Sequence, residues 1–411
     1  MNMLRRLVCI ALAVSPGSLA ADSVLIENAS LHTVGPQGSL AGDMLVVDGR
    51  IEAVGEVGDV SQDVRRIDAK GRPVTPGLFS TLSRIGLVEI DAVMSTSDAS
   101  VDLPKLGPSV RVEAALNPGS IVWRQALVAG VTHTVSAPNF AQTPFAGMSV
   151  AIRLGTAKAP VIRRDVSMMV AMGEAGSALS GNSRAGNVAL IEQAFADAQE
   201  YNAIGRWHEG YAFAPHDLRT LVEAHAAKLP LAILANRASD IRAAVDLVGK
   251  VGLPLIIVGG VEAWKVADEL AAAEVPVVLF PMSNLPSRFE SLGARLDNAV
   301  VLFEAGVDFA VFEINPHDTV RFRQSAGNLV AEGLPWDVAL ESITLAPARI
   351  WGLDAESGSL EPGKVADFVI WSGDPLEVTT WPEQVIVAGK PINMRSRQDD
   401  LFERYESLPP H

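Results

Sequence analysis

The groups in this chain that could do metal or acid–base chemistry are few, and their types narrow the choice at once. There are seven histidines, His32, His133, His208, His216, His225, His317 and His411, and one cysteine, Cys9. A single cysteine forms no internal disulfide and excludes zinc-ribbon or cysteine-cluster iron sites. The aromatic loop GRWHEGYAFAPHD (205–217) carries His208-Glu209 and His216-Asp217, imidazoles beside carboxylates, with His225 following. Such pairs either build a site or serve as satisfied surface groups. His317 follows the last expected strand of the central region, where a functional imidazole would sit. Arg84, Glu89, Glu174, Arg184, Arg237 and Glu262 fall near expected strand ends. There they either line a pocket or cancel one another in a salt-bridge network. A guanidinium in a pocket also offers bidentate hydrogen bonds to a carboxylate ligand.

The elements that must position these groups change character along the chain. Residues 22–75 read as short strands, VLIENASLHTV and then GDMLVVDGRIEAVG, with Asp48-Gly49 as a hairpin turn. From 76 to 357 short apolar runs alternate with helical patterns. The runs are VTHTVSA (131–137), SMMVAM (167–172), LAILA (231–235), LIIVG (255–259), PVVLF (276–280) and DFAVFE (308–313). Helical patterns cover 239–250 and 260–273. Strand–helix alternation over this length predicts an α/β fold closed as a (β/α)8 TIM-like barrel. Residues 358–395 return to β character, with Gly389 in a turn. They are expected to pair with 22–75 as one composite β-sandwich, leaving 396–411 as a C-terminal tail.

Composition sets further limits. The 411 residues are 48% hydrophobic and 20% charged, enough to bury a large core. Lys and Arg total 33 against 48 Asp and Glu, a net charge of −15, which disfavours nucleic acid as a partner. Residues 1–20 read as a secretory signal: Arg5 and Arg6, the apolar run Leu7 to Val14, then Ser18-Leu19-Ala20 before Ala21. That run is too short for a membrane span, and no later segment qualifies. Cleavage would remove Cys9 and leave a cysteine-free chain suited to the periplasm or the exterior.

Several blocks together resemble the amidohydrolase superfamily, especially periplasmic members similar to imidazolonepropionase. They include DGRIEAVG (48–55), VTPG (74–77), AGVTHTVSAP (129–138), MGEAGSALSGNSRA (172–185) and NRASDIRAA (236–244). GVEAWKVADELAAAEVPVVL (260–279), NPHDTVRFRQSAGNLVAEGLP (315–335), TLAPARIWGLD (344–354) and GSLEPGKVADFVIWSGDPL (358–376) continue the series. The resemblance implies a barrel beside a β-sandwich and hydrolysis of C–N bonds by a divalent metal that activates water. In the family, histidines from several strand ends hold that metal and an aspartate near the last strand acts as base. Here the corresponding positions carry Leu82, Arg84, Asn236, Gly259 and Ile314, so the metal site is expected to be degenerate.

Three functions stay open at this stage. One is a non-catalytic subunit or scaffold with no cofactor, forming a homo-oligomer or a hetero-oligomer with a related amidohydrolase. Another is an active hydrolase of acylated amino acids, small peptides or cyclic amides, with Arg84, Glu174, Glu313 and His317 as catalytic candidates. Only that alternative calls for zinc or a similar metal. The third is a small-acid binding protein using Arg84 and Arg237, with Asn236 and Glu262 nearby.

Overall fold

In the computed structural model, residues 23–156, 158–313 and 316–407 are described. The proposed signal segment and Ile314 lie outside them. The N-terminal strands are β1 (Val24–His32), β2 (Ser39–Val47), β3 (Arg50–Gly55), β4 (Arg65–Asp68) and β5 (Pro73–Pro76). Eight strands follow in the central region: β6 (Leu78–Ser83), β7 (Val131–Ser136), β8 (Phe145–Arg153), β9 (Val161–Ala171), β10 (Leu231–Ala235), β11 (Leu255–Gly259), β12 (Val277–Leu279) and β13 (Phe309–Val311). The C-terminal strands are β14 (Phe368–Trp371), β15 (Pro382–Val387) and β16 (Lys390–Pro391).

The terminal segments meet where β14 pairs antiparallel with β5, Phe368 opposite Pro76 and Ile370 opposite Val74. The result is one continuous eight-stranded sheet rather than two hydrogen-bonded layers. Its continuity comes from β1, which pairs with β4 along its first half and with β5 along its second, across an irregularity between Ile26 and Ala29. One core holds this sheet together, built from Ile26, Leu31, Met44, Ile51, Phe368 and Ile386 among others. At the β2–β3 hairpin, Val47 faces Arg50, and Asp48 and Gly49 both take positive φ, as a two-residue primed turn requires.

The central strands form the second eight-stranded sheet, in chain order from β6 to β13. Side chains alternate between two cores, as a strand buried on both faces demands. On β10 to β12, Ala232, Ile256, Val258 and Val278 fill the interior, while Leu231, Ile233, Ile257 and Val277 pack under the helices. The seam between β13 and β6 is bridged by backbone from the helical region. Val311 N–H donates to Ser342 O (3.1 Å) and Phe79 N–H to Ile343 O (2.8 Å). Trp351 closes the interior, its Nε1 donating to Thr81 Oγ1 at 2.7 Å.

One strand departs from the (β/α)8 expectation. β8 runs antiparallel to both β7 and β9, whereas the pairs from β9 to β13 and β6–β7 are parallel. Among the described residues no helix separates β7, β8 and β9, and without a crossover connection a neighbouring strand must reverse. The C-terminal tail is also structured in part, as a helix at Arg397–Tyr405 started by a Ser396–Asp399 capping box.

Candidate functional site

A pocket of about 410 Å³ opens at the C-terminal ends of the central strands, where barrel folds place their sites. β6 delivers Leu82, Ser83 and Arg84; the segment after β7 delivers Asn139 and Phe140. β10 contributes Leu234 and Asn236, and β11 Val258 and Gly259. The loop after β12 supplies Phe280, Arg288 and Glu290, and the segment after β13 Phe312 and Glu313. A larger cleft of about 1310 Å³ lies between the terminal sheet and the helix at Ile121–Val128, lined by Arg50, Arg65 and Arg124. The central strand ends do not reach that cleft.

Polar groups at the mouth divide into one set that is tied down and one that is not. Glu290, buried, accepts from Asn236 Nδ2 (2.8 Å) and from Glu174 N–H (2.9 Å), with Arg184 Nη2 at 3.9 Å. Arg184 is itself paired with Asp240 at 3.1 Å. Arg84 is half-buried and donates from Nη2 to Asn139 Oδ1 at 3.2 Å. Burial lowers its pKa, with Asp91 acting in the opposite sense. The Glu313 carboxyl is pushed up to about 7, chiefly by burial and further by Asp318, against a hydrogen bond from Ser325 Oγ. Such a carboxyl can both take and give a proton near neutral pH. Together the mouth offers the guanidiniums of Arg84 and Arg288, a proton-exchanging carboxyl and apolar walls.

The pocket therefore gathers Arg84, Asn236 and Glu313 with Leu82 and Gly259, and leaves Glu89, Glu174, Arg184, Arg237, Glu262 and His317 outside its lining. Glu174 sits behind Glu290, its Oε1 accepting from Glu290 N–H at 3.1 Å, so it braces the mouth rather than facing ligand. Arg237 is exposed just before the helix at Ala238–Val251 and bonds Ser239 Oγ at 2.8 Å. Glu262 is buried against that helix, accepting from Ala238 N–H (3.0 Å) and Lys265 Nζ (2.6 Å). Burial works to raise its pKa, but those partners outweigh burial and hold it lower. His317 is exposed in a short helical turn, Pro316–Val320. In each case a local partner or the loop path takes the side chain away from the mouth.

Four other histidines, His133, His208, His216 and His225, make local contacts away from the mouth. His133 is buried beside Asp367 (3.3 Å), and Arg153 Nε lies 3.0 Å from the same carboxylate oxygen. His216 and His225 lie at hydrogen-bond distance from the carbonyls of Lys105 and Val251, and the His208 ring packs against Tyr211 at a 35° tilt. Sequence reasoning missed Glu290 and Arg288. The loop carrying them, SNLPSRFESLG, has no periodicity; its place after a strand was the available signal.

The donor chemistry at the mouth does not fit a divalent metal. Leu82 has no donor atom, Arg84 is cationic, and Asn236 uses its amide on Glu290. Gly259 has no room for an imidazole: a Cβ built there would lie 2.3 Å from Asn236 Oδ1, at a backbone φ of +93°. Among the described residues, no three His, Cys, Asp or Glu side chains are grouped to hold a metal ion. Nor is any described helix long and apolar enough to cross a membrane.

The Amidohydrolase family profile matches residues 313–393. An imidazolonepropionase of Maricaulis maris is 32% identical over 187 residues, 44% of this chain. The match spans less than half, 45%, of that relative's length. The crystal structure of an amidohydrolase from Thermotoga maritima superposes with a TM-score of 0.82 at 26% identity, covering 90% of this chain and 100% of that one. An adenosine deaminase of Xanthomonas campestris, solved with zinc bound, shares the fold at a TM-score of 0.52 and 18% identity, over 93% of this chain and 97% of its own. Members of this superfamily usually hold a divalent metal such as zinc. The fold is that of the Thermotoga maritima amidohydrolase structure, and the stretch 313–393 is similar in sequence to the Amidohydrolase family.

Proposed function

We propose that this chain keeps the amidohydrolase barrel without the metal-dependent hydrolysis of its superfamily, and acts as an exported, non-catalytic subunit or scaffold. The observation that carries this reading is the set of side chains at the strand ends: Leu82, Arg84, an Asn236 committed to Glu290, and Gly259 packed against Asn236. A metal needs several deprotonated donors converging on one point, and these residues supply none. The natural partner for such a subunit is a second copy or a related amidohydrolase that retains its metal. The test is elemental analysis of the protein purified from its native compartment, with co-purifying chains identified in the same sample. Substoichiometric Zn, Mn, Fe and Ni, with no metal-stimulated hydrolysis of acylated amino acids or cyclic amides, is the expected result. One tightly held metal per chain would sink the reading.

A second reading is favoured by one group. Glu313, titrating near 7 inside the pocket, is poised as a general acid–base for metal-free C–N hydrolysis. Chelator-resistant turnover abolished by Glu313→Gln would select it over the scaffold.

A further inference from the structure

We propose that the barrel mouth is a binding site for a small organic acid, one carboxylate on an apolar body, with Arg84 as the partner of the anion. The proposal rests on the metal-free reading above, because it puts a ligand anion where the superfamily holds a cation. Arg84 projects from the end of β6 into the pocket and is half-buried. Its one hydrogen bond among the described residues, to Asn139, leaves most of its five N–H donors to the cavity. Among those residues no carboxylate pairs with it directly. Asp91 acts on it only from further away.

The pocket's own acids do not fill that role. Glu290 is bound by Asn236, by the backbone of Glu174 and by Arg184. Glu313 hydrogen-bonds Ser325 instead. Among the described residues no carboxylate pairs directly with the Arg84 guanidinium, in a setting where burial already disfavours its charge. A carboxylate arriving bidentately relieves that cost, and a neutral isostere does not. The rest of the ligand is set by the walls: Leu82, Phe140, Met169, Leu234, Phe280 and Phe312 are apolar or aromatic. A cavity of about 410 Å³ lies at the small end of ligand pockets, which fits a short acyl or arylalkyl acid.

The experiment is calorimetric titration of the full mature chain with 3-phenylpropanoate and hexanoate, each against its primary amide. The expected result is that each carboxylate binds at least about tenfold tighter than its amide, and that Arg84→Gln collapses the difference. Should Arg84→Gln fail to fold, protection of Arg84 in the unsubstituted chain carries the test. 3-Phenylpropanoate, and not its amide, slows phenylglyoxal modification of Arg84 as mapped by mass spectrometry. Equal affinity for acid and amide, binding of neither, or a preference that survives Arg84→Gln overturns the proposal. If the acids fail while metal content stays substoichiometric, only the ligand class is wrong. If stoichiometric zinc is found, the metal-free barrel itself is wrong whatever the acids do.

Discussion

Two buried groups should push the stability of this protein in opposite directions across one pH window, so that removing either exposes the other. His133, buried on β7, has its pKa pulled from 6.5 to about 4, first by burial and then by Arg153, against the attraction of Asp367. The unfolded chain therefore takes a proton below 6.5 that the folded protein refuses until about 4, and stability is lost as pH falls through that range. Glu313 is the converse, its pKa raised from 4.5 to about 7. The folded protein keeps a proton that the unfolded chain releases above 4.5, and stability is lost as pH rises towards 7. Each shift of about 2.5 pKa units is worth roughly 3 kcal/mol in full, of which roughly 2.5 kcal/mol falls between pH 4.5 and 7. The two contributions nearly cancel in the unsubstituted protein. Relative to it, His133→Gln should lose about 2.5 kcal/mol of stability between pH 4.5 and 7, and Glu313→Gln should gain as much over the same range. Urea unfolding at pH 4.5, 5.5, 6.5 and 7 measures both, and groups common to all chains drop out of the differences. Two variants that track the unsubstituted protein in parallel across this range would refute the reasoning for both sites.

Gly259→His, the simplest step back towards a metal ligand, should destabilise the protein by about 2 kcal/mol or more, because of its positive φ and the contact with Asn236. Thermal unfolding measures that loss, and a zinc titration of the same variant should show no gain in uptake. Asp367→Ala should cost about 3 kcal/mol or more in urea unfolding. It strands Arg153, 3.0 Å from the lost carboxylate, and removes the acceptor of Ala388 N–H at 2.7 Å.

Much of the fold was legible because it is written in local pattern. LAILA and LIIVG coincide with β10 and β11, and Asp48-Gly49 marks the β2–β3 turn. β8 was not legible. FAGMSVAIR is buried on both faces and so lacks alternation, and its small residues answer tertiary neighbours. Gly147, at φ +115°, lets the backbone pass so close to Val110 that a Cβ would lie 2.4 Å from its carbonyl oxygen. At the site, Leu82, Arg84, Asn236 and Gly259 could be placed at the mouth from the flanking blocks that fixed their register. Glu290 could not, because its loop carries no periodic signal and its role depends on Asn236 and Glu174, distant in sequence.

The mouth also explains why its polar residues must be considered together. Asn236 holds Glu290, and its Oδ1 occupies the volume a side chain at position 259 would need. Glu290 and Glu174 each accept the other's backbone N–H with a carboxylate oxygen, and Glu290 is approached by Arg184, which is anchored on Asp240. Each of these groups is satisfied by another, so a single exchange towards a donor residue leaves a buried acid short of partners or a side chain without space. Arg84 stands outside this circuit, with one hydrogen bond to Asn139 and its charge facing the cavity. A network that only preserved the fold would have neutralised it. That the remaining acids are engaged elsewhere while this guanidinium is left open is the physical ground for assigning the pocket to an anion brought from outside.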